Sequence, residues 1–590
     1  MRMFDCKEKK RVYFITLITM LVFICLFLNS FYWPSKQVDK RKILVMAIAF
    51  FCVVIVPFLA IRINAFYCML LKCIATVKET WIEMRANKTK VFSFFCYSLI
   101  GIGASGIITF FISKFVFEKS FNEHLFYTMV LFYIGALLMG QIWKRADKKP
   151  ENVFVIIALV MGIFCISVTP TRVGVSWDDE IHYARTLEIS NALNGIMYQA
   201  DEKNIADYGI NINTRSGYDR TSDKAYTEEL ETLYADKAWS EHAFRQYNVW
   251  SIGYVPAAIG IILARGLNLS YSAVFNAGRL FNLLTYIVLI YFAMKRVKYG
   301  KVLIGVIGVI PTTIFMASSY AYDPWVTGFT ILGFSYFVAE LQEDKPLRYN
   351  NILIMVGAII LGCMPKAIYF TVLFPLLFMP KKKFENTKQR RNYYLLIIVS
   401  GIFLVATFML PMLMDTSGAG DARGGTDVNS TEQIKFILQN PLRYSKILLE
   451  FLRGYFAPES SAGMLQRLAY IGHGYLYGIV SLIISSVAFL DRGEEESNFW
   501  GVRVSSLIGC AAAMVLSTTA LYISFTAVAA DTVAGMQGRY ILPTIYPALY
   551  ALGFAGVSHK INKKAFVCVP MILIALTFFY NMVGYCVLHY

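Results

Sequence analysis

The chain has 590 residues, 57% hydrophobic and only 16% charged, whereas an ordinary soluble domain is roughly a quarter charged. The mean hydropathy is +0.52, and about fifteen apolar runs, each long enough to cross or partly cross about 30 Å of hydrocarbon, recur along the chain. A soluble globular protein is excluded, and the net charge of +17 does not signal nucleic acid, because the basic residues form short clusters between apolar runs, where the positive-inside rule places them.

The first apolar run, from Tyr13 to about Trp33, is too long for a signal peptide and lacks a small-residue cleavage site, so it reads as a retained anchor. Basic clusters at Met1–Arg11, Lys144–Lys149, Lys295–Lys301, Lys381–Arg391 and Lys560–Lys564 are expected in the cytoplasm. Spans near 12–33, 43–61, 91–113, 124–143 and 152–169 then carry the chain from a cytoplasmic amino terminus to an external loop, Thr171 to Val249. Lys36, Lys40, Arg41 and Lys42 fall outside in this scheme and conflict with the rule. The loop holds 14 acidic and 8 basic residues, a net −6 that leaves +23 for the rest of the chain and supports its outward position.

Trp250 to Ala264 is apolar but short and carries Gly253 and Pro256. It is expected to be juxtamembrane or re-entrant, which keeps Lys295, Arg296 and Lys298, at the end of the next span (272–294), in the cytoplasm. Further spans near 301–319, 323–341, 351–380 (broken at Pro365), 393–413, 468–490, 502–527, 538–557 and 565–588 complete an all-α helical bundle of about 14 to 15 transmembrane helices. A second external loop, 415–440, is Gly-rich without the Walker spacing and reads as a mobile lid. The stretch Pro441 to Gln466 mixes Leu and Phe with Arg and reads as interfacial. All 11 Cys lie in or near apolar runs, so neither a disulfide framework nor a zinc site is expected.

The most informative residues follow the fifth span: Trp177, Asp178, Asp179, Glu180, Ile181, His182 and Tyr183. From Glu180 to Leu193 the apolar positions share one face of a helix, which puts Asp178, Asp179 and His182 around its first turn. Ser176 and Asp179 have capping-box spacing, and acidic groups favour a helix start, so capping is one reading. The functional reading is a general base with a supporting carboxylate or histidine, since close carboxylates push their pKa values apart. A divalent-cation site is a third.

Four polar features are expected on the same external half: Arg279, Tyr322 with Asp323, Pro365 with Lys366, and Gln537-Gly538-Arg539-Tyr540. Ionisable groups at membrane depth are functional candidates. Arg279 and Lys366 could each hold a phosphate, whereas snorkelling explains Arg279 or Arg539 without function and Asp323-Pro324 is also an ordinary helix start. The acidic loop carries Trp177, Trp239 and seven tyrosines, Tyr183, Tyr218 and Tyr247 among them. These suit stacking on sugar rings, or equally an interfacial aromatic belt. His242, Arg245, Tyr247 and Asn248 could complete the mouth of a site.

An Asp-Glu pair opening a large external loop just after a span, then an interfacial helix and many further spans, resembles the GT-C superfamily of membrane glycosyltransferases, which includes protein O-mannosyltransferases and lipid A aminoarabinose transferases. More closely, DDEIHYAR at Asp178–Arg185, SYAYDP at Ser319–Pro324, MPK at Met364–Lys366 and QGRYILP at Gln537–Pro543 resemble an uncharacterised bacterial family of polytopic GT-C-like membrane proteins. The resemblance covers roughly residues 150–590. It divides the chain into an amino-terminal four-span accessory module, 1–148, and a transmembrane catalytic domain, 149–590.

The resemblance implies transfer of a sugar from a polyprenyl-phosphate or polyprenyl-diphosphate donor to a cell-envelope acceptor, a polysaccharide, teichoic acid or lipid, at the outer face of a bacterial plasma membrane. Asp179 matches the position of the general base and Glu180 its neighbour, while Lys366 and Arg539 would offset charge on the leaving phosphate. Arg279 joins that phosphate set from its depth alone, and Tyr183, Tyr322, Asp323, Gln537 and Tyr540 are the expected substrate contacts, with His182 beside the carboxylates. The extra Asp178 leaves the base open between Asp178 and Asp179, and the pair follows the fifth span, not the first. Metal dependence stays open. The rival readings are a transporter or flippase of lipid-linked saccharides, for which broken helices and intramembrane charges also speak, a glycan polymerase or ligase, and a non-catalytic scaffold.

Overall fold

The structure, a computed structural model, describes residues 6–30, 40–62, 88–118, 120–192, 196–209, 220–243, 249–414, 424–455, 457–491, 499–553 and 560–588, with scattered positions between 67 and 86. It is an all-α polytopic membrane protein. Among the described residues seven helices are long and apolar enough to cross a membrane, and five shorter apolar helices accompany them.

The chain opens with α1 (Cys6–Asn29), α2 (Lys40–Arg62), α3 (Lys88–Phe111), α4 (Glu123–Ile142) and α5 (Pro150–Val168). Helices α1 and α2 leave Phe14, Ile18, Phe50 and Phe51 exposed, as lipid-facing surfaces do. They meet the remainder at the end of α1, where Asn29 Nδ2 donates to the Gly266 carbonyl at 2.6 Å. Beyond α5 the acidic segment folds as α6 (Asp179–Ser190), β1 (Ile196–Tyr198), α7 (Gln199–Gly209), α8 (Arg220–Ala235) and β2 (Trp239–Ala243). The bundle resumes with α9 (Val255–Gly266), α10 (Tyr271–Arg296), α11 (Lys301–Gly308), α12 (Pro311–Ala317), α13 (Asp323–Gln342) and α14 (Tyr349–Cys363). A 3-10 segment (Ala367–Phe378) leads to α15 (Thr387–Met414), α16 (Ser430–Gln439), α17 (Pro441–Tyr455), α18 (Pro458–Leu465), α19 (Tyr477–Leu490) and α20 (Trp500–Ser524). A second 3-10 segment (Gly538–Thr544), α21 (Ile545–Leu552) and α22 (Lys563–Met582) close the chain.

Two of the expected spans are broken by proline. The run near 301–319 divides into α11 and α12 at Pro311, because proline lacks an N–H and disfavours helix at the residue before it. The run near 351–380 turns at Pro365, and its two limbs come back to one end, where the Leu347 amide donates to the Lys383 carbonyl at 2.8 Å. That Lys/Arg-rich end is tied by Arg296, which pairs with Glu340 at 2.5 Å and Glu343 at 2.8 Å, and by Asp491, which accepts from the Leu303 amide at 2.8 Å.

The expected loop between 171 and 249 is a folded unit packed on α9 and α10. Val173, Tyr183, Leu187, Ala200 and Leu230 form a core with Ala257, Ile261, Tyr271, Phe275 and Tyr320. Strand β1 runs antiparallel to β2, with Tyr198 opposite Trp239 and the two rings 4.1 Å apart. The Glu231 carboxylate accepts from the amides of Tyr271 at 2.7 Å and Ser272 at 2.8 Å, satisfying orphan donors at the positive end of α10. Both ends of α9 meet this unit: the Tyr254 hydroxyl just before it lies 2.8 Å from His182 Nδ1, and Arg265 near its far end bonds Asp201 and Asn191 at 2.6 Å each. Gly260 allows α9 to lie this close to α10, since a Cβ there would collide with the Ala277 carbonyl.

The Arg265–Asp201 pair is almost fully buried, with side chains 3% and 1% exposed, and Asp201 also accepts from the Tyr183 hydroxyl at 2.5 Å. Arg265→Ala is therefore expected to cost about 3–5 kcal/mol, because it leaves a buried carboxylate without its cation. Thermal unfolding of the full chain in detergent measures this, and a change within about 0.5 kcal/mol of wild type, the size of an ordinary surface substitution, would contradict it.

The stretch 430–455, part of which was expected to be a mobile lid, is helical. Helices α16 and α17 lie against α20, where the Tyr444 hydroxyl donates to Thr519 at 2.6 Å, and they expose Leu438, Leu442 and Leu449. Residues 415–423, the Gly-rich part of the expected lid, lie outside the described residues.

Candidate functional site

Segments far apart in sequence converge where the acidic unit meets the bundle: Trp177-Asp178 ahead of α6, Met316 in α12, Tyr322-Asp323 at the start of α13, Lys366 at the proline break, and Arg539-Tyr540 in the second 3-10 segment. Local chemistry explains each. Pro324 occupies the first turn of α13, where a missing N–H costs nothing, and Asp323 favours the positive end of that helix. Pro365 ends α14 at Cys363 and leaves Lys366 at the turn. Gly538 lets the 3-10 segment approach α18, since a Cβ there would strike the Ser460 carbonyl.

Arg539 is the hub. Its guanidinium is 2% exposed and lies 3.2 Å from Asp178 Oδ2, 3.4 Å from Asp323 Oδ2 and 3.7 Å from Met316 Sδ. It also stands 4.9 Å from the Trp177 ring centroid and 5.5 Å from that of Tyr540. The Lys366 ammonium sits 3.3 Å from the Tyr540 ring centroid, a cation–π contact. The Tyr540 carbonyl accepts from the Tyr369 hydroxyl at 2.7 Å, and the Gln537 carbonyl accepts from the Tyr455 hydroxyl at 2.6 Å. Gln537 Oε1 is buried and, among the described residues, has no hydrogen-bond partner. Two cations, two carboxylates and two aromatic faces thus share one centre.

The adjacent carboxylates Asp178 and Asp179 part company. Asp178 caps α6 in the left-handed conformation, φ 53° and ψ 29°, which Asp tolerates better than most residues. Its backbone carbonyl receives the Ile181 and His182 amides at 3.1 and 3.0 Å, while its side chain, 32% exposed, reaches Arg539. Asp179 is 3% exposed, and its Oδ2 accepts from the Val175 and Ser176 amides at 3.3 and 3.2 Å. This is half of the expected capping box: the return bond to the Ser176 amide forms, but the Ser176 hydroxyl is buried without a partner among the described residues.

Burial pushes the Asp179 carboxyl up from 3.8 to about 6, against the opposing pull of Arg279 and the Ser176 amide and with some help from Glu180. A raised folded-state pKa favours the protonated form. The stability it contributes is full below the ordinary carboxylate value and is lost as pH rises through about 6. Asp179→Asn cannot ionise yet keeps an acceptor for the two amides. Its stability relative to wild type is therefore expected to rise by about 2 kcal/mol between about pH 4 and pH 7, read from unfolding midpoints across that range. A pH-independent difference would show that Asp179 carries no buried charge.

The other expected site residues divide. His182 is buried, bonded to Tyr254 and edge-on to Tyr322 with ring centroids 5.4 Å apart, so it and Tyr322 line the flank of the centre. Glu180, in the same first turn of α6, is buried as well. Two expectations are corrected. Tyr183 turns away from the centre into the core of the acidic unit, fully buried between Phe275 and Tyr320 and donating to Asp201. On α6 it lies one turn before Leu187, which is buried in the same core.

Arg279 is the second correction. It spends its donors on the Ser318 carbonyl at 3.1 Å, the Pro170 carbonyl at 3.3 Å, Thr169 Oγ1 at 2.7 Å and Asn276 Oδ1 at 3.2 Å. It satisfies carbonyls where α5 and α12 end, as a cation at helix C-termini does, and holds no position in the cationic centre.

Arg245, Tyr247, Asn248 and Tyr218, and the side chain of His242, lie outside the described residues. Sequence reasoning missed Tyr254, Met316, Tyr369 and Tyr455. All four sit in or beside apolar stretches, where an aromatic or Met is indistinguishable from core. Tyr254 alone had a signal, its neighbour Gly253: a Cβ there would crowd Tyr322 and Pro365, at 2.9 and 3.3 Å.

The fold and this centre define a class: a polytopic helical membrane protein with a charged, aromatic-lined site at one end of its bundle. The chain belongs to the family described as predicted membrane protein DUF2142, whose model matches residues 159–548. The motifs at 178–185, 319–324, 364–366 and 537–543 all fall inside that match. No curated protein and no solved structure matches the chain.

Proposed function

We propose that the protein is a membrane glycosyltransferase that moves a sugar from a polyprenyl-phosphate-linked donor to a cell-envelope acceptor on the outer face of the plasma membrane. One observation carries the reading: Arg539 and Lys366 share a centre with the carboxylates of Asp178 and Asp323 and the ring faces of Trp177 and Tyr540. Cations suit a phosphate leaving group, aromatic faces suit a sugar ring, and a carboxylate at the mouth suits an acceptor hydroxyl. The net negative acidic unit beside them supports an external position, since the Lys/Arg-rich ends of the helices lie at the opposite end of the bundle.

The mechanism is direct displacement with inversion. The acceptor oxygen attacks the anomeric carbon as the bond from that carbon to the phosphate oxygen breaks. The hydroxyl proton passes to a carboxylate, and the electron pair of the broken bond leaves on the lipid phosphate, whose charge Arg539 and Lys366 offset. Reach comes before pKa in choosing a base, and it favours Asp178, whose partly exposed carboxylate faces the centre while Asp179 Oδ2 is engaged by backbone amides. Asp323 holds Arg539 from the other side.

The test is the full chain in phospholipid vesicles supplied with a radiolabelled polyprenyl-phosphate sugar and extracts of envelope polymer. Label moving into polymer, with free polyprenyl phosphate released, is the expected result. Intact donor reaching the opposite leaflet without cleavage would replace the transferase by the transporter reading.

A further inference from the structure

The far end of the bundle carries a second feature that the proposed transfer does not use. A cavity of about 520 Å³ opens beside the start of α15, lined by Lys381, Thr387, Arg390, Arg391, Tyr394, Leu395 and Ile398. Lys381, Arg390 and Arg391 make part of its lining cationic, and Leu395 and Ile398 make part of it apolar. Lys381 lies in the short turn after the 3-10 segment, and Thr387, Arg391, Tyr394 or Leu395, and Ile398 follow one another at helical spacing along one face of α15. The lining contains no carboxylate, and among the described residues no ion pair occupies Lys381, Arg390 or Arg391. Their neighbour Lys383, by contrast, is buried and donates to the Glu343 carbonyl.

A solvated positive-inside cluster needs cations alone. Here the cations share a concavity with an apolar groove, in which Leu395 is 57% and Ile398 52% exposed. The order from charge through the amphipathic Tyr394 to aliphatic surface follows the order of groups along a phospholipid, from phosphate through glycerol backbone to acyl chain. Basic pockets beside membrane helices hold anionic lipid head groups in this way.

We propose that this cavity is a binding site for an anionic phospholipid of the leaflet at the Lys/Arg-rich end, with the head-group phosphate among Lys381, Thr387, Arg390 and Arg391 and an acyl chain along Leu395 and Ile398. The site is separate from the Arg539 centre and stands whether or not that centre transfers sugar. It fixes the break between the 3-10 segment and α15 at the level of the head groups.

Native mass spectrometry of the detergent-solubilised full chain, titrated with dioleoylphosphatidylglycerol or dioleoylphosphatidylcholine, tests the proposal. The wild type is expected to prefer phosphatidylglycerol by at least about tenfold, and Arg391→Gln to lose roughly fivefold of its affinity. K381Q/R390Q/R391Q is expected to show no preference between the two lipids, whereas the charge-preserving K381R/R390K/R391K keeps it. The conservative triple variant and the exposed single change at Arg391 keep the test decisive where the neutral triple variant fails to fold. Glycerol 3-phosphate and inorganic phosphate, which lack acyl chains, are expected not to compete at equal concentration. Competition by either would overturn the lipid assignment, and an unaltered preference in the neutral triple variant would overturn the site.

Discussion

Replacing Arg539 by alanine is expected to lower the stability of the protein by about 3 kcal/mol and to abolish sugar transfer. The guanidinium is the cation between Asp178 and Asp323, at 3.2 and 3.4 Å, and its removal takes from both carboxylates the one cation that contacts each of them, leaving Lys366 as the remaining positive group of the centre. The figure sits at the low end of the range for breaking buried pairs, because the Asp178 side chain is 32% exposed and water screens part of its charge. Two further variants separate charge from shape. Asp323→Asn in the Arg539→Ala background is expected to recover about 1–2 kcal/mol, since a neutral amide needs no counter-charge. Arg539→Lys keeps the charge but offers a single ammonium where a planar fork now spans two carboxylates, so it is expected to fall between wild type and alanine. Unfolding of the full chain in detergent gives all three values, and wild-type stability for Arg539→Ala would show that the three groups are not coupled.

Asp178→Asn is expected to reduce transfer by about 10²–10⁴, the usual contribution of a positioned general base, while leaving the fold intact. Asn tolerates the left-handed backbone of residue 178 nearly as well as Asp and can still accept from Arg539. Asp179→Asn is expected to keep most of the activity, because its acceptor role toward the Val175 and Ser176 amides survives. The reverse pattern, with Asp179→Asn inactive and Asp178→Asn near wild type, would move the base to the buried carboxylate.

The membrane elements were legible because hydrocarbon thickness demands long apolar runs. Spans expected at 91–113, 124–143, 152–169 and 272–294 appear among the helices long and apolar enough to cross, as Val91–Val116, Glu123–Arg145, Pro150–Val168 and Tyr271–Arg296. The break at Pro365 was equally visible, since proline acts on its own neighbours. The interior of the acidic unit was not: α8 and the β1–β2 pair lie in a polar stretch whose order depends on tertiary partners such as Arg265 for Asp201 and Tyr271 for Glu231.

Within the site, the ionisable residues could be nominated from the sequence but not sorted. Arg279 and Arg539 both interrupt apolar runs, and only their surroundings distinguish a residue that satisfies helix-end carbonyls from one that faces Asp178 across 361 positions of sequence. Asp178 and Asp179 are chemically identical neighbours. The left-handed turn at Asp178 separates them, and neither spacing nor composition encodes that turn.

The most direct test of the central claim is mass analysis of envelope glycopolymers from cells lacking this protein, complemented with wild type, Asp178→Asn or Arg539→Ala. The account predicts that a defined sugar mass disappears from one polymer or lipid in the deletion strain and returns only with the wild type. Full restoration by both variants would contradict it, and would leave the Arg539 centre as a structural knot in a protein that moves no sugar.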